Sequence, residues 1–122
     1  MDKLEEFKSE AVNLRIVTDK YTLIIDGTYL HEDKYTHKYM DSYGTVMSFQ
    51  KDKMVYVEEE TNLRPEHDGC REFEIFLSNK ESISIIGVPL LDQDTDNWEY
   101  YLSKYGQKYH IRRGKIEYVV GL

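Results

Sequence analysis

Residues 71–88 read REFEIFLSNKESISIIGV, and this stretch decides the predicted fold. Phenylalanine, isoleucine and leucine at 73, 75 and 77 alternate with residues 72, 74 and 76, two of which are glutamates. A period of two is typical of a strand with one buried face. Asn79-Lys80 then marks a turn, and residues 81–88 have a second strand pattern. The stretch therefore predicts an antiparallel β-hairpin.

The sequence on both sides of this hairpin predicts more short strands. Residues 60–70 combine Pro, Asn, Asp and Gly, which is typical of a loop. Lys51-Asp52 and Arg113-Gly114 have the lengths of two-residue turns, so each predicts a hairpin between its flanking strands. The predicted strands outside the central hairpin are 21–26, 28–30, 35–40, 43–50, 53–59, 108–112 and 115–120.

Two segments have helical periodicity instead. Residues 2–14 place apolar side chains on one helical face, with Asp2 as a possible N-cap. Trp98, Tyr101, Leu102 and Tyr105 also match a helical repeat, and Gly106 is well placed to end a helix. The sequence thus predicts an N-terminal helix and a short helix near 97–105.

Together these patterns predict one α+β domain spanning 1–122 that is mostly β. We expect a curled antiparallel sheet of about six to eight strands, covered on its apolar face by the two helices. The alternative is an all-β small barrel in which residues 98–104 form a strand.

The amino-acid composition limits the cellular compartment and the class of partner that the sequence predicts. Sixteen basic against 23 acidic residues give a formal net charge of −7, which disfavours duplex nucleic acid as a partner. One cysteine, Cys70, excludes an intramolecular disulfide, and no apolar run has the length of a membrane span. These observations predict a cytoplasmic protein that does not enter membranes.

The motifs of common active sites are missing from the sequence. Residues 92–103 begin like a calcium-binding loop, but Asn97 and Ser103 occupy the positions that require Gly and Glu. The histidines and Cys70 lack the spacing of known metal or nucleophile motifs, and no glycine-rich phosphate loop occurs. We therefore predict a protein that is not an enzyme and has no metal or cofactor.

The acidic middle of the chain, flanked by tyrosines, favours a binding protein. Carboxylates speed the encounter with a basic surface, and tyrosines anchor the contact. We predict a small acidic inhibitor of the immunity-protein or phage counter-defence type, which occludes a protein partner. Its predicted contact residues are Tyr43, Tyr56, Glu58, Glu59, Glu60, Glu66 and Asp68.

The alternative is a protein that binds or sequesters a small ligand. In this case aromatic residues line a pocket and a basic side chain holds an anionic group. Its predicted ligand contacts are Trp98, Tyr100, Tyr101, Tyr109, Arg112 and Arg113. The sequence leaves both functions and the oligomeric state open.

Overall fold

Ten β-strands form nearly all the regular structure of the described residues, which are 12–66 and 69–121 of a computed structural model. Short 3-10 turns occur at Lys51–Lys53, Leu91–Gln93 and Arg113–Lys115. The strands are β1 (Val12–Thr18), β2 (Thr22–Glu32), β3 (Thr36–Asp41), β4 (Val46–Gln50), β5 (Met54–Glu60), β6 (Arg71–Leu77), β7 (Ser82–Pro89), β8 (Trp98–Ser103), β9 (Gln107–Arg112) and β10 (Ile116–Val120).

The chain divides into two compact units between Met54 and Val55. In the first unit, β1 to β4 pair antiparallel in chain order. Side-chain oxygens organise its turns: Asp33 Oδ1 accepts hydrogen bonds from the Tyr35 and Thr36 amides at 2.9 and 2.7 Å. These bonds lower the pKa of Asp33 to about 2, because they favour its charged form.

The second unit has the strand order β10-β6-β7-β8-β9-β5. All its pairings are antiparallel, so residues directly opposite each other lie on the same face. One face carries nine apolar or aromatic side chains that are at most 8% exposed, besides polar side chains such as Glu58, Glu60 and Arg71 that are half-buried or exposed. The nine on this buried face are Tyr56, Phe73, Ile75, Leu77, Ile83, Ile85, Tyr101, Tyr109 and Ile111.

The hairpin predicted from residues 71–88 is confirmed. β6 pairs with β7, with Phe73 opposite Ile85 and Ile75 opposite Ile83. Lys80 adopts a φ of 71° in the turn, where the Asn79 side chain accepts a hydrogen bond from the Glu81 amide at 3.0 Å. Asparagine supports such turns through bonds of this kind.

The helix predicted near 97–105 is wrong, because Trp98–Ser103 is strand β8. Tyr101 lies opposite both Pro89 of β7 and Tyr109 of β9, so pairing on two sides outweighs the helical spacing. Thr95 Oγ1 accepts a hydrogen bond from the Trp98 amide at 3.1 Å, where the strand starts. Gly106, predicted to end the helix, has a φ of 94° and belongs to the β8–β9 turn. A glycine with positive φ is common both at helix ends and in turns, so the residue alone does not distinguish them.

The α+β class is also wrong for the described residues, which are nearly all β and form ten strands rather than the expected six to eight. Residues 12–14 of the predicted N-terminal helix belong to β1, and Leu14 is 4% exposed. The remainder of that helix, residues 2–11, lies outside the described residues. The all-β alternative gives the correct class and the correct strand at 98–103, while its small-barrel closure and the single domain stay predictions.

Two predicted hairpins are wrong although their turns exist. β4 pairs with β3, whereas β5, which follows the turn at Lys51–Lys53, pairs with β9. Likewise β10 follows the turn at Arg113–Lys115 but pairs with β6. Both turns are 3-10 turns that carry the chain to a distant strand, which turn length alone does not reveal.

A substitution at Gly87 tests the pairing of β7 with β8. A Cβ atom at this position would overlap the Leu102 carbonyl oxygen and lie 2.7 Å from the Ser103 Cα, so we expect Gly87→Ala to lower the free energy of unfolding by about 3 kcal/mol. A Cβ atom at Gly114 would have no neighbour within 4 Å, and Gly114→Ala should change stability by less than about 0.5 kcal/mol. Urea unfolding measures both. Equal effects would contradict the pairing.

Candidate functional site

The face opposite the buried one in the second unit is the candidate binding surface, called the open face below. Strand register places its members on one side, since each lies opposite another member or two residues from one. Most of them are exposed or half-buried. The exposed or half-buried members of the open face are Glu59, Glu72, Glu74, Phe76, Ser82, Ser84, Ile86, Tyr100, Lys108, His110, Arg112, Tyr118 and Val120. Val57, Trp98 and Leu102 lie on the same side but are at most 8% exposed.

An aromatic stack stands where the open face reaches β10. The rings of Phe76 and Tyr118 lie 4.5 Å apart at 15°, and a register shift between Ile116 and Tyr118 brings them opposite each other. Tyr118 is 53% exposed and Val120, two residues further, is 52% exposed. Phe76, Tyr118 and Val120 form the edge patch. Apolar surface of this kind is typical of a contact site.

Carboxylates lie directly beside the edge patch. Glu74 is opposite Val120 on one side and Ser84 on the other. Its Oε2 accepts hydrogen bonds from the hydroxyls of Ser84 at 3.1 Å and Ser82 at 3.5 Å. Glu72 is two residues away and exposed. This part of the open face therefore combines rings with negative charge.

A second polar cluster lies on β5, β8 and β9. Glu59 Oε2 and His110 Nε2 are 3.1 Å apart, and the His110 and Tyr100 rings meet edge to face at 5.0 Å. Lys108 Nζ lies 5.5 Å from the centre of the Tyr100 ring. The hydrogen bond with His110 lowers the pKa of Glu59, and Lys108 adds to this effect, while burial opposes it. The cluster holds a carboxylate in its charged form.

The predicted partner contacts do not form one surface. Glu58 lies opposite Tyr109, on the buried side of the sheet, whereas Glu59 lies opposite Lys108 on the open face. Because side chains alternate between the two faces of a sheet, Glu60 lies on the same side as Glu58. Tyr56 is only 4% exposed, which leaves it little area for contact.

The other predicted contacts are spread over loops. Tyr43, in the β3–β4 turn of the first unit, is 91% exposed. Glu66 is exposed in the segment between β5 and β6. Asp68 lies outside the described residues. The binding roles of all these residues stay predictions.

Half of the six residues predicted to contact a small ligand are core residues. Trp98, Tyr101 and Tyr109 are at most 8% exposed. Tyr101 donates to Glu99 Oε1 at 3.1 Å, and burial raises its pKa above the ordinary value. Tyr100 and Arg112 lie on the open face, and Arg113 lies 3.5 Å from Asp94 Oδ2. Ligand binding by this set stays a prediction.

A concave site does occur in the first unit. An open groove of about 300 Å³ lies between the β1–β2 turn and the end of β4. Two lysines, one aspartate and two aromatic rings line it. The lining residues are Thr18, Asp19, Lys20, Tyr21, Ser48, Phe49, Gln50 and Lys53.

Sequence reasoning missed the edge patch. Phe76 is an apolar residue on the polar side of a strand, between Glu74 and Ser78, and this is its only signal in the sequence. The predicted terminal hairpin pairs the strand of Tyr118 with residues 108–112, so the contact with Phe76 does not follow from it. An apolar residue out of phase on a clearly patterned strand is the signal that points to such a patch.

Comparisons with protein-family models, with curated proteins and with solved structures find no match for this chain. In the part of the chain that the structure describes, no helix has the length and apolar character needed to cross a membrane.

The Glu59–His110 contact predicts a pH dependence of stability. The pKa of Glu59 lies below its ordinary value of 4.5 in the folded protein, so its stabilising effect is present above pH 4.5 and is lost as the pH falls further. We expect Glu59→Gln to lower the free energy of unfolding by about 1 kcal/mol at about pH 6, and by less at about pH 3. Urea unfolding across this pH range measures the difference.

Glu60→Gln is the matched control, because Glu60 is exposed on the adjacent position of the same strand. This variant should change stability by less than about 0.5 kcal/mol at either pH. If Glu59→Gln and Glu60→Gln gave the same pH profile, the contact with His110 would have no energetic role.

Proposed function

We propose that this chain is a small acidic binding protein that inhibits a protein partner by covering it with the open face. The proposed type is an immunity or phage counter-defence protein acting in the cytoplasm, without catalytic chemistry of its own. The observation that carries the proposal is the edge patch, where the exposed Tyr118 ring stacks on the half-buried Phe76 ring beside carboxylates.

The edge patch has the chemistry of an interface anchor. Aromatic residues are enriched among the few side chains that supply most of the binding energy. Ordering Tyr118 costs little on binding, since the stack with Phe76 already restricts its ring. Burying the exposed part of Tyr118 and Val120 would then favour the complex through the hydrophobic effect.

Charge favours a basic partner. The chain carries a net charge of −7, and Glu72 and Glu74 lie beside the patch. A field of this sign increases the rate of encounter with a basic surface. Glu74 is already held by two serine hydroxyls, so it is positioned to accept a bond from a lysine or arginine of the partner.

Covering a functional surface is sufficient for inhibition, because the partner's own substrate is then excluded. A standard protein–protein interface buries about 800 Å² on each side. The exposed members of the open face lie on β10, β6 and β7, so the contact would centre on these three strands. The proposal requires no reaction and no cofactor.

Tyr118→Ala tests the role of the edge patch. The partner is captured from the source cells with the unaltered chain, identified, purified and titrated with each variant. We expect Tyr118→Ala to weaken binding by about 2 kcal/mol, roughly thirtyfold, because truncation removes the anchor. Isothermal titration calorimetry gives the dissociation constant, and an activity assay of the partner shows inhibition at one-to-one stoichiometry.

Tyr105→Ala is the matched control. Tyr105 is 61% exposed in the β8–β9 turn and lies outside the edge patch, so its loss should change affinity by less than about twofold. A partner that kept full activity when saturated with the chain would refute inhibition. Equal affinities of the two alanine variants would show that binding uses another surface.

A further inference from the structure

We infer that β10 is a receiving edge for an extended, basic segment of the partner, which adds as a strand to the second unit. This inference rests on the proposed function and specifies how the partner binds. β10 stands at the end of the strand order and pairs with β6. Its other side therefore has no neighbouring strand among residues 12–66 and 69–121, which the structure describes. Such an edge is a template for pairing with another chain.

The side chains of β10 suit this mode of binding. A strand added outside β10 would lie about 4.8 Å away and place alternate side chains against Tyr118 and Val120. Both of these side chains are more than half exposed, so the contact needs no rearrangement of the core. Backbone hydrogen bonds would supply affinity, and the edge patch would select the side chains.

The chemistry of the edge selects lysine or arginine. A cation opposite Tyr118 would reach the Phe76–Tyr118 stack, and Glu117 is exposed on the same strand. The chain already uses this geometry internally, with Lys108 Nζ 5.5 Å from the Tyr100 ring. Glu74, beside Val120, adds negative charge to the next strand. Alternating lysine or arginine is therefore the pattern that β10 would recognise.

A second copy of this chain is a poorer occupant of the edge. Each copy carries a net charge of −7, so two copies repel. Pairing β10 with another β10 would also bring two Glu117 side chains to the same short interface. Pairing with an identical chain would place like charges opposite each other, whereas a basic strand would place a positive charge opposite Glu117.

The experiment uses the full chain and a synthetic peptide of about nine alternating lysine and threonine residues, a typical strand length. Nuclear magnetic resonance follows the backbone amides during titration, and hydrogen exchange measures their protection. We expect saturable shifts that are largest at residues 116–120, together with slower exchange there. A peptide with the same side chains but N-methylated along its backbone should not bind, because its nitrogens can no longer donate strand hydrogen bonds and the methyl groups keep the strands apart.

Two charge variants test the electrostatic selection. Glu117→Lys should weaken peptide binding about fivefold, since it replaces attraction by repulsion at the edge. Asp92→Lys changes the net charge equally but lies in the turn at Leu91–Gln93, and should change binding by less than about twofold. Equal effects of the two variants would overturn the role of Glu117.

Other outcomes would overturn the inference itself. Equal binding of the N-methylated peptide would show docking through side chains without strand addition. The absence of shifts at 116–120 would exclude β10 as the receiving edge. Protection of β10 that increases with the concentration of the chain alone would assign the edge to a second copy.

The inference and the proposed function fail in different ways. If Tyr118→Ala abolishes capture of the protein partner but the peptide leaves residues 116–120 unchanged, strand addition is wrong and the proposed function stands. If the peptide protects β10 but the captured protein keeps its activity when saturated, the edge receives a strand and inhibition is wrong.

Discussion

The register of the β6–β7 hairpin is the constraint on which the rest of the second unit depends. Phe73 opposite Ile85 and Ile75 opposite Ile83 place four apolar side chains on one face. A slip of β6 by one residue would expose Phe73 and Ile75 and bury Glu72 and Glu74, which is costly for charged groups. The turn at Asn79 and Lys80 supports the same register through a side-chain hydrogen bond and a positive φ.

This register also creates the open face. Once Phe73, Ile75 and Leu77 point inward, Phe76 must point outward, and the pairing of β10 with β6 brings Tyr118 against it. The edge patch is thus a consequence of strand alternation together with a bulge in β10. The same alternation separates Glu59 from Glu58, so the acidic run at the end of β5 serves two faces rather than one.

Local sequence patterns correctly predict the structural features that depend only on residues close together in the chain. The period of two in 71–77 and the turn at Asn79-Lys80 are sufficient for the hairpin, because its two strands are adjacent in the chain. Such patterns are insufficient at 98–103, where the periods of helix and strand both fit and pairing with β7 and β9 decides the outcome. The edge patch depends on the pairing of Phe76 with Tyr118 across 42 positions of sequence, which no local pattern contains.

Thiol labelling tests the division into two faces most directly. Single cysteines are introduced by Glu74→Cys and Ser84→Cys for the open face, and by Ile75→Cys and Ile85→Cys for the buried face, each with Cys70→Ser. On β6 and β7 the two faces differ in exposure: Ile75 and Ile85 are 0% and 1% exposed, whereas Glu74 is half-buried and Ser84 is exposed. Labelling should be fast at 74 and 84, and at 75 and 85 it should require local unfolding. Fast labelling at 75 and 85 under native conditions, with protection at 74 and 84, would contradict the division into two faces.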